Sequence, residues 1–259
     1  MMPLQALLFD VDGTLADTER DGHRVAFNRA FADAGLDWEW SPRRYGELLC
    51  VTGGKERIAH YIAHYQPTLP PAAGDSAWIA GLHRAKTKHY TALLAAGAIP
   101  LRSGVARLLA EVRQAGLRLA IVTTTTPENV TALLHHTLGA EALSWFEVIA
   151  AGDVVAAKKP AADIYHYALA QLQLPAAAAL AFEDSANGLQ AARDADLTTV
   201  VAVNGYTADE AFPDAALILD QWGEPDHPFE QLGGDAVAAQ WLDLALLRQI
   251  HQRALRSPA

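Results

Sequence analysis

Asp10-Val11-Asp12-Gly13-Thr14 closes a short apolar run, Leu4 to Val11 (LQALLFDV). Two carboxylates two residues apart at a strand end can converge on one site if the chain turns after the first, and Gly13 supplies that freedom. One carboxylate can then attack phosphorus while the other handles protons, the two roles needed to make and break a phosphoester. Asp-Gly is equally ordinary turn chemistry at a strand-to-loop boundary, so the pentapeptide alone leaves both readings open. Further polar clusters follow at Thr123 to Thr126, at Lys158-Lys159-Pro160 and at Glu183-Asp184-Ser185. Glu183 and Asp184 would face opposite sides of a regular strand. At its end both can reach one cation, Asp184 directly and Glu183 through water. Asp184 could instead cap a helix beginning near Ala186, alongside Ser185. Either lysine could be a solvated surface charge, the default for its type.

The elements that must position these residues are short apolar runs. After Leu4 to Val11 come Leu117 to Thr123, Phe146 to Ala150, Ala179 to Phe182 and Thr199 to Val203. Helical patterns alternate with them: Val105 to Gln114, Pro127 to Leu138, Ala162 to Leu172 and Ser185 to Asp194. That alternation predicts an α/β fold, a doubly wound parallel sheet. Such sheets carry their sites beyond the carboxyl ends of the strands, where Asp10 to Thr14, Thr123 to Thr126 and Glu183 to Ser185 all fall. Residues 17–97 break the alternation with helical patterns such as Gly22 to Ala34 and Trp78 to Leu94, separated by Gly35 to Pro42 and the proline-rich turn Gln66 to Pro71. The expectation is an all-helical domain over 17–97 inserted into a core domain of 1–16 and 98–259. In the tail, a Gly/Pro/Asp loop past Gln221 precedes an expected helix over Asp235 to Leu255, packed through Trp241, Leu244, Leu247 and Ile250.

Thirty acidic residues against twenty basic ones leave a net charge of −10, which argues against nucleic-acid and anionic-membrane surfaces. A phosphorylated small molecule stays compatible, because a metal and a few lysines can invert the charge locally. The single cysteine, Cys50, excludes an internal disulfide and is expected to be a buried thiol in a reducing cytoplasm. No apolar run is long enough to span a membrane, and the start lacks the pattern of a secretion signal.

Two segments of the helical insertion also carry chemistry. Val51-Thr52-Gly53-Gly54-Lys55-Glu56-Arg57 pairs two glycines, which let backbone amides approach an anion, with two cations. An ordinary interhelical turn followed by a salt-bridged helix start is the competing reading. Asp17 to His23 is rich in groups that can bind hydroxyls, or is a charged, solvated linker.

Taken together these residues resemble the haloacid-dehalogenase-like hydrolase superfamily. Phe9 to Leu15 resembles its first motif, Thr123 its second, Lys159 in Lys158-Lys159-Pro160-Ala161-Ala162-Asp163 its third and Glu183 to Gly188 its fourth, over about residues 4–205. The resemblance implies that Asp10 attacks and becomes an aspartyl phosphate. It implies that Asp12 protonates the leaving oxygen and then activates water. Thr123 would bind the phosphoryl group with Thr124 beside it, and Lys159 would neutralise charge. It further implies Mg2+ held by Asp10, the backbone carbonyl of Asp12, Asp184 and Glu183, and a small helical cap over the site. The cap, through Thr18 to Arg24, Glu47 to Leu49, Thr52 to Arg57 and His83 to Lys88, is similar to the CbbY-type branch. That branch includes phosphatases that remove xylulose-1,5-bisphosphate, an inhibitor of Rubisco. A bisphosphate needs a second anion site, expected at Gly53, Gly54, Lys55, Arg57 and Lys86, with Glu19 and His23 on the sugar hydroxyls. A β-phosphoglucomutase-like mutase or a phosphoglycolate phosphatase would share this core. A dehalogenase is disfavoured by Asp12 together with Asp184, and a non-catalytic relative by the intact set. The protein is expected to act as a monomer.

Overall fold

The structure, a computed structural model, describes residues 2–70 and 73–256. Of the segments named above, residue 1, Pro71 of the proline-rich turn and residues 257–259 lie outside it. Seven strands form one sheet in the order β3-β2-β1-β4-β5-β6-β7. They are β1 (Ala6–Phe9), β2 (Arg118–Thr123), β3 (Val148–Ala151), β4 (Ala179–Glu183), β5 (Thr198–Ala202), β6 (Leu217–Leu219) and β7 (Gln231–Gly234), all parallel except β7.

β1 is wholly buried because helices cover both faces of the sheet. Leu7 and Phe9 join one apolar cluster with α5 (Val105–Gln114), α6 (Pro127–Leu138) and α9 (Leu244–Ala254). Ala6 and Leu8 join the opposite one with α7 (Asp163–Leu172) and α8 (Ala186–Arg193). Truncating a buried leucine such as Leu8 to alanine would cost about 3 kcal/mol in lost burial and residual cavity.

Between β1 and α5 the chain is helical. A short π-helical turn (Glu19–His23) leads into α1 (Arg24–Asp33), α2 (Pro42–Leu48), α3 (Gly54–Tyr65) and α4 (Ser76–Ala95). These helices close on an aromatic-rich cluster of their own, including Phe27, Phe31, Trp38, Trp40 and Tyr45. The chain leaves and re-enters the sheet side by side, since Ala16 and Leu101 form an antiparallel bridge.

The tail departs from expectation. β6 and β7 stand where no strand was expected, and α9 starts at Leu244 rather than near Asp235. Asp243 sets that start, because its side chain accepts a hydrogen bond from the Leu246 amide. Gly234, at φ 78°, ends β7 instead. Trp241 therefore precedes the helix, while Leu244, Leu247 and Ile250 pack as expected. Cys50 is exposed, not buried, because it follows α2 on the side that borders a cleft. No helix among the described residues is long and apolar enough to cross a membrane.

Candidate active site

β1, β2 and β4 run in parallel with Phe9 level with Ile121 and Phe182. The next residues along each strand therefore emerge together: Asp10 beside Val122 and Thr123, and beside Glu183 and Asp184. Lys159 enters from the loop before α7. Its Nζ lies 2.8 Å from Asp10 Oδ1, 2.6 Å from Glu183 Oε1 and 2.8 Å from the Val122 carbonyl. Lys158 turns outward instead, to Glu56 (2.9 Å) and Asp153 (3.0 Å), so Lys159 is the lysine of the site.

Oxygens of Asp10, Glu183 and Asp184 lie within 4.8 Å of one another, all three residues being buried. Three carboxylates against one lysine is an unbalanced charge. Burial, with Glu183 nearby, pushes the Asp10 carboxyl up to about 7 despite Lys159. Burial and the neighbouring Asp10 and Glu183 likewise hold Asp184 well above the ordinary carboxylate range. Glu183 accepts from Lys159 and, at 2.5 Å, from Tyr165, but its buried Oε2 has no hydrogen-bond partner among the described residues. An all-oxygen cluster with surplus negative charge and a free buried oxygen suits a hard divalent cation, so these residues fit Mg2+. Two glycines make room for these carboxylates. A Cβ at Gly13 would collide with Asp184 Oδ2, and one at Gly188 with the Glu183 carboxylate. The cap of α8 is Ser185, whose Oγ accepts from the Gly188 amide, leaving Asp184 free for the cluster.

Asp12 sits apart from this cluster. Its Oδ1 accepts from Thr18 Oγ1 (2.6 Å) and lies 2.9 Å from His23 Nε2, while Lys86 Nζ lies 2.7 Å from His23 Nδ1. An ammonium has no acceptor, so Nδ1 accepts from Lys86 and Nε2 carries the proton that faces Asp12. Burial opposes ionisation of Asp12, yet the contacts from His23 and Thr18 hold it well below the ordinary range. Burial also lowers Lys86 to about 8.

The helical residues divide into two groups. Arg57 is buried, its Nη1 donating to Tyr45 Oη at 2.9 Å, and Tyr45 in turn donates to Glu19 Oε2. Lys55, two residues earlier on α3 and so on another side of it, pairs with Asp153 at 2.5 Å and is 39% exposed. The two cations thus have different partners, although both line the same outer cavity. Gly53 is at φ 96°, a backbone conformation that favours glycine, and a Cβ on Gly54 would meet His83 Nε2, so conformation and packing also favour these glycines.

Two cavities meet at Asp12, Glu19, Arg57 and Thr124. The inner one holds Asp10, Thr123, Lys159, Glu183 and Asp184. The outer one, about 610 Å³, holds His23, Gly53, Gly54, Lys55 and Lys86. Every expected site residue lines one or the other. Tyr45, Asn204 and Tyr206 were not foreseen. Asn204 Nδ2 donates to Asp184 Oδ2 at 2.6 Å, and Tyr206 packs its ring edge-on to Tyr45 with centroids 5.9 Å apart. Asn-Gly after β5 reads as a turn, which masks the side chain's second use.

The family model for haloacid dehalogenase-like hydrolases matches residues 4–196. The plasmid-encoded protein CbbY of Cupriavidus necator is 48% identical over 252 residues, covering 97% of this chain and 98% of its own. CbbY from Rhodobacter sphaeroides, solved with phosphate, is 50% identical with a TM-score of 0.79, covering 84% of this chain and 94% of its own. Its D10N variant, solved with xylulose-1,5-bisphosphate, has the same identity and coverage and a TM-score of 0.80.

Proposed function

This chain belongs to the haloacid dehalogenase-like hydrolase family, and we propose that it is a sugar-phosphate phosphatase, magnesium-dependent and acting on xylulose-1,5-bisphosphate. The observation that carries the reading is the pairing of Asp10 with Lys159 at 2.8 Å, beside Glu183 and Asp184, at the floor of a cleft walled by cationic helical residues. The bisphosphate held by a relative half identical in sequence supports the substrate assignment.

In this reading Asp10 Oδ2 attacks phosphorus as the bond from phosphorus to the sugar oxygen breaks, leaving phosphate on Asp10. Lys159 holds Asp10 Oδ1 in place and offsets charge on the phosphoryl oxygens, to which Thr123 donates. Asp12 gives the departing sugar oxygen a proton. It then takes one from the water that attacks the acyl phosphate, releasing inorganic phosphate and restoring Asp10. At rest Asp12 is an anion whose Oδ1 is held by the His23 N–H at 2.9 Å. Its other oxygen, Oδ2, therefore takes up a proton from solvent as the phosphate dianion binds, and that proton is the one passed to the leaving oxygen. The proton later taken from the attacking water replaces it. Mg2+, held by Asp10, the Asp12 carbonyl, Asp184 and, through water, Glu183, would offset repulsion between nucleophile and phosphate. Residues 17–97 act as a cap that excludes water, with Arg57 and Lys86 on the distal phosphate and Glu19 on the sugar hydroxyls.

Assay of sugar mono- and bisphosphates with Mg2+, following both phosphate release and isomer formation, tests the proposal. Highest efficiency on xylulose-1,5-bisphosphate with one phosphate released per turnover is expected. Isomer formation without phosphate release would make the protein a mutase.

A further inference from the structure

Arg102, the residue by which the chain returns from the helical segment to the sheet, is buried and lines neither cavity of the cleft. A buried guanidinium ordinarily pairs with a carboxylate. Its nearest acid, Asp17, is 3.7 Å away and largely exposed. Its fork is directed at four main-chain carbonyls instead: Nη1 to Gly13 and, at 2.9 Å, Ala202; Nη2 to Val203 at 2.5 Å and Asp220 at 2.7 Å.

Two of those carbonyls belong to the segments that hold Asp184. The Gly13 peptide lies directly against Asp184 Oδ2, so closely that no Cβ fits between them. Val203 precedes Asn204, whose amide donates to the same oxygen at 2.6 Å. One planar group therefore fixes, from behind, both the surface that Oδ2 rests on and the donor that orients it. We propose that Arg102 is a positioning residue for Asp184, acting through Gly13 and Val203–Asn204, and that it thereby sets the affinity of the site for its divalent cation. This rests on the reading of Asp184 as a cation ligand. Partners that orient ligating carboxylates typically contribute 10- to 100-fold in metal affinity. Lysine keeps the charge of arginine but not its fork, so it can reach at most one of the two segments.

Mg2+ affinity is measured by calorimetry on the full-length protein without substrate, alongside thermal stability and KM at saturating Mg2+. Arg102→Lys and Arg102→Met should both weaken Mg2+ about 10-fold or more, with KM for the phosphorylated substrate little changed. Asn204→Ala should weaken it similarly, and less than additively with Arg102→Lys. Trp222→Phe is the comparison for a purely structural brace: Trp222 Nε1 donates to the Thr14 carbonyl in the same loop at 2.9 Å but to neither segment beside Asp184. It should lower stability and leave Mg2+ affinity alone. Arg102 variants that lose stability but bind Mg2+ normally would overturn the inference. If they do not fold, normal Mg2+ binding by Asn204→Ala overturns it. Asp184→Asn separates the two layers, because unchanged Mg2+ affinity there would remove the metal reading itself, whatever Arg102 does.

Discussion

His23 Nε2 lies 2.9 Å from Asp12 Oδ1, and this contact helps to drive the two carboxylates of Asp10-Val11-Asp12 in opposite directions. Asp10 is pushed up by burial among like charges, whereas Asp12 is held down by His23, with Lys86 behind it. His23→Ala should lower kcat about 10- to 100-fold by releasing Asp12 from its orientation, a part of the usual acid–base contribution. Because the proposed mechanism uses Asp12 on every substrate, mono- and bisphosphates should lose equally in steady-state assays. A loss confined to bisphosphates would place His23 on the distal phosphate.

The raised Asp10 carboxyl predicts a pH-dependent cost in the metal-free protein. The native state binds a proton more tightly than the unfolded chain, whose carboxyl titrates near 3.8. Stability is therefore present below about 3.8 and is lost as pH rises towards about 7. Asp10→Asn removes that cost, so at pH 8 in chelator it should melt higher than wild type. The expected gain is on the order of 2 kcal/mol, about 5 °C. The difference should shrink as pH falls through this window, as thermal melts across pH will show.

Arg57 and Lys55 should separate. Arg57 is buried at the junction of the two cavities, and under the proposed function its loss would remove a charge-assisted contact to the distal phosphate. Arg57→Ala should cost about 30- to 1,000-fold in kcat/KM on xylulose-1,5-bisphosphate and little on a monophosphate. Lys55 is occupied by Asp153 in a partly exposed pair. Lys55→Ala should cost less than about 1 kcal/mol on either substrate. Equal, large losses for both would restore the view that the two cations grip one phosphate together.

Chelation should stop turnover, and Asp184→Ala should sharply raise the Mg2+ concentration needed for activity. Calcium should support turnover poorly, because its larger and looser shell misplaces the phosphate. Titration of each ion against phosphate release checks this. Full activity in excess chelator would remove the metal assignment.

The core was legible because its signals are local. α5 and α6 begin where Gly104 and Pro127 mark a start, and Asp10, Thr123 and Glu183 end runs too apolar to be anything but buried strands. β6 has three residues, and β7 reads Gln-Leu-Gly-Gly, with no β-branched residue and no alternation to detect. The alanine-rich stretch before Asp243 resembles helix but contributes Val237 and Ala239 to the core without forming one. The supporting residues were hidden for another reason. Arg102 acts on main-chain carbonyls, and Asn204 on a carboxylate twenty positions earlier, so no spacing rule reveals either.

The central claim is that phosphate passes through Asp10. Wild-type protein mixed with Mg2+ and xylulose-1,5-bisphosphate labelled with 32P in both phosphates, then quenched in acid within milliseconds, should carry transient label on the peptide containing Asp10. Asp10→Asn should carry none and release no phosphate, since an amide cannot form the acyl phosphate. Phosphate release by freshly purified, undeamidated Asp10→Asn at more than about 1% of the wild-type rate would contradict the account.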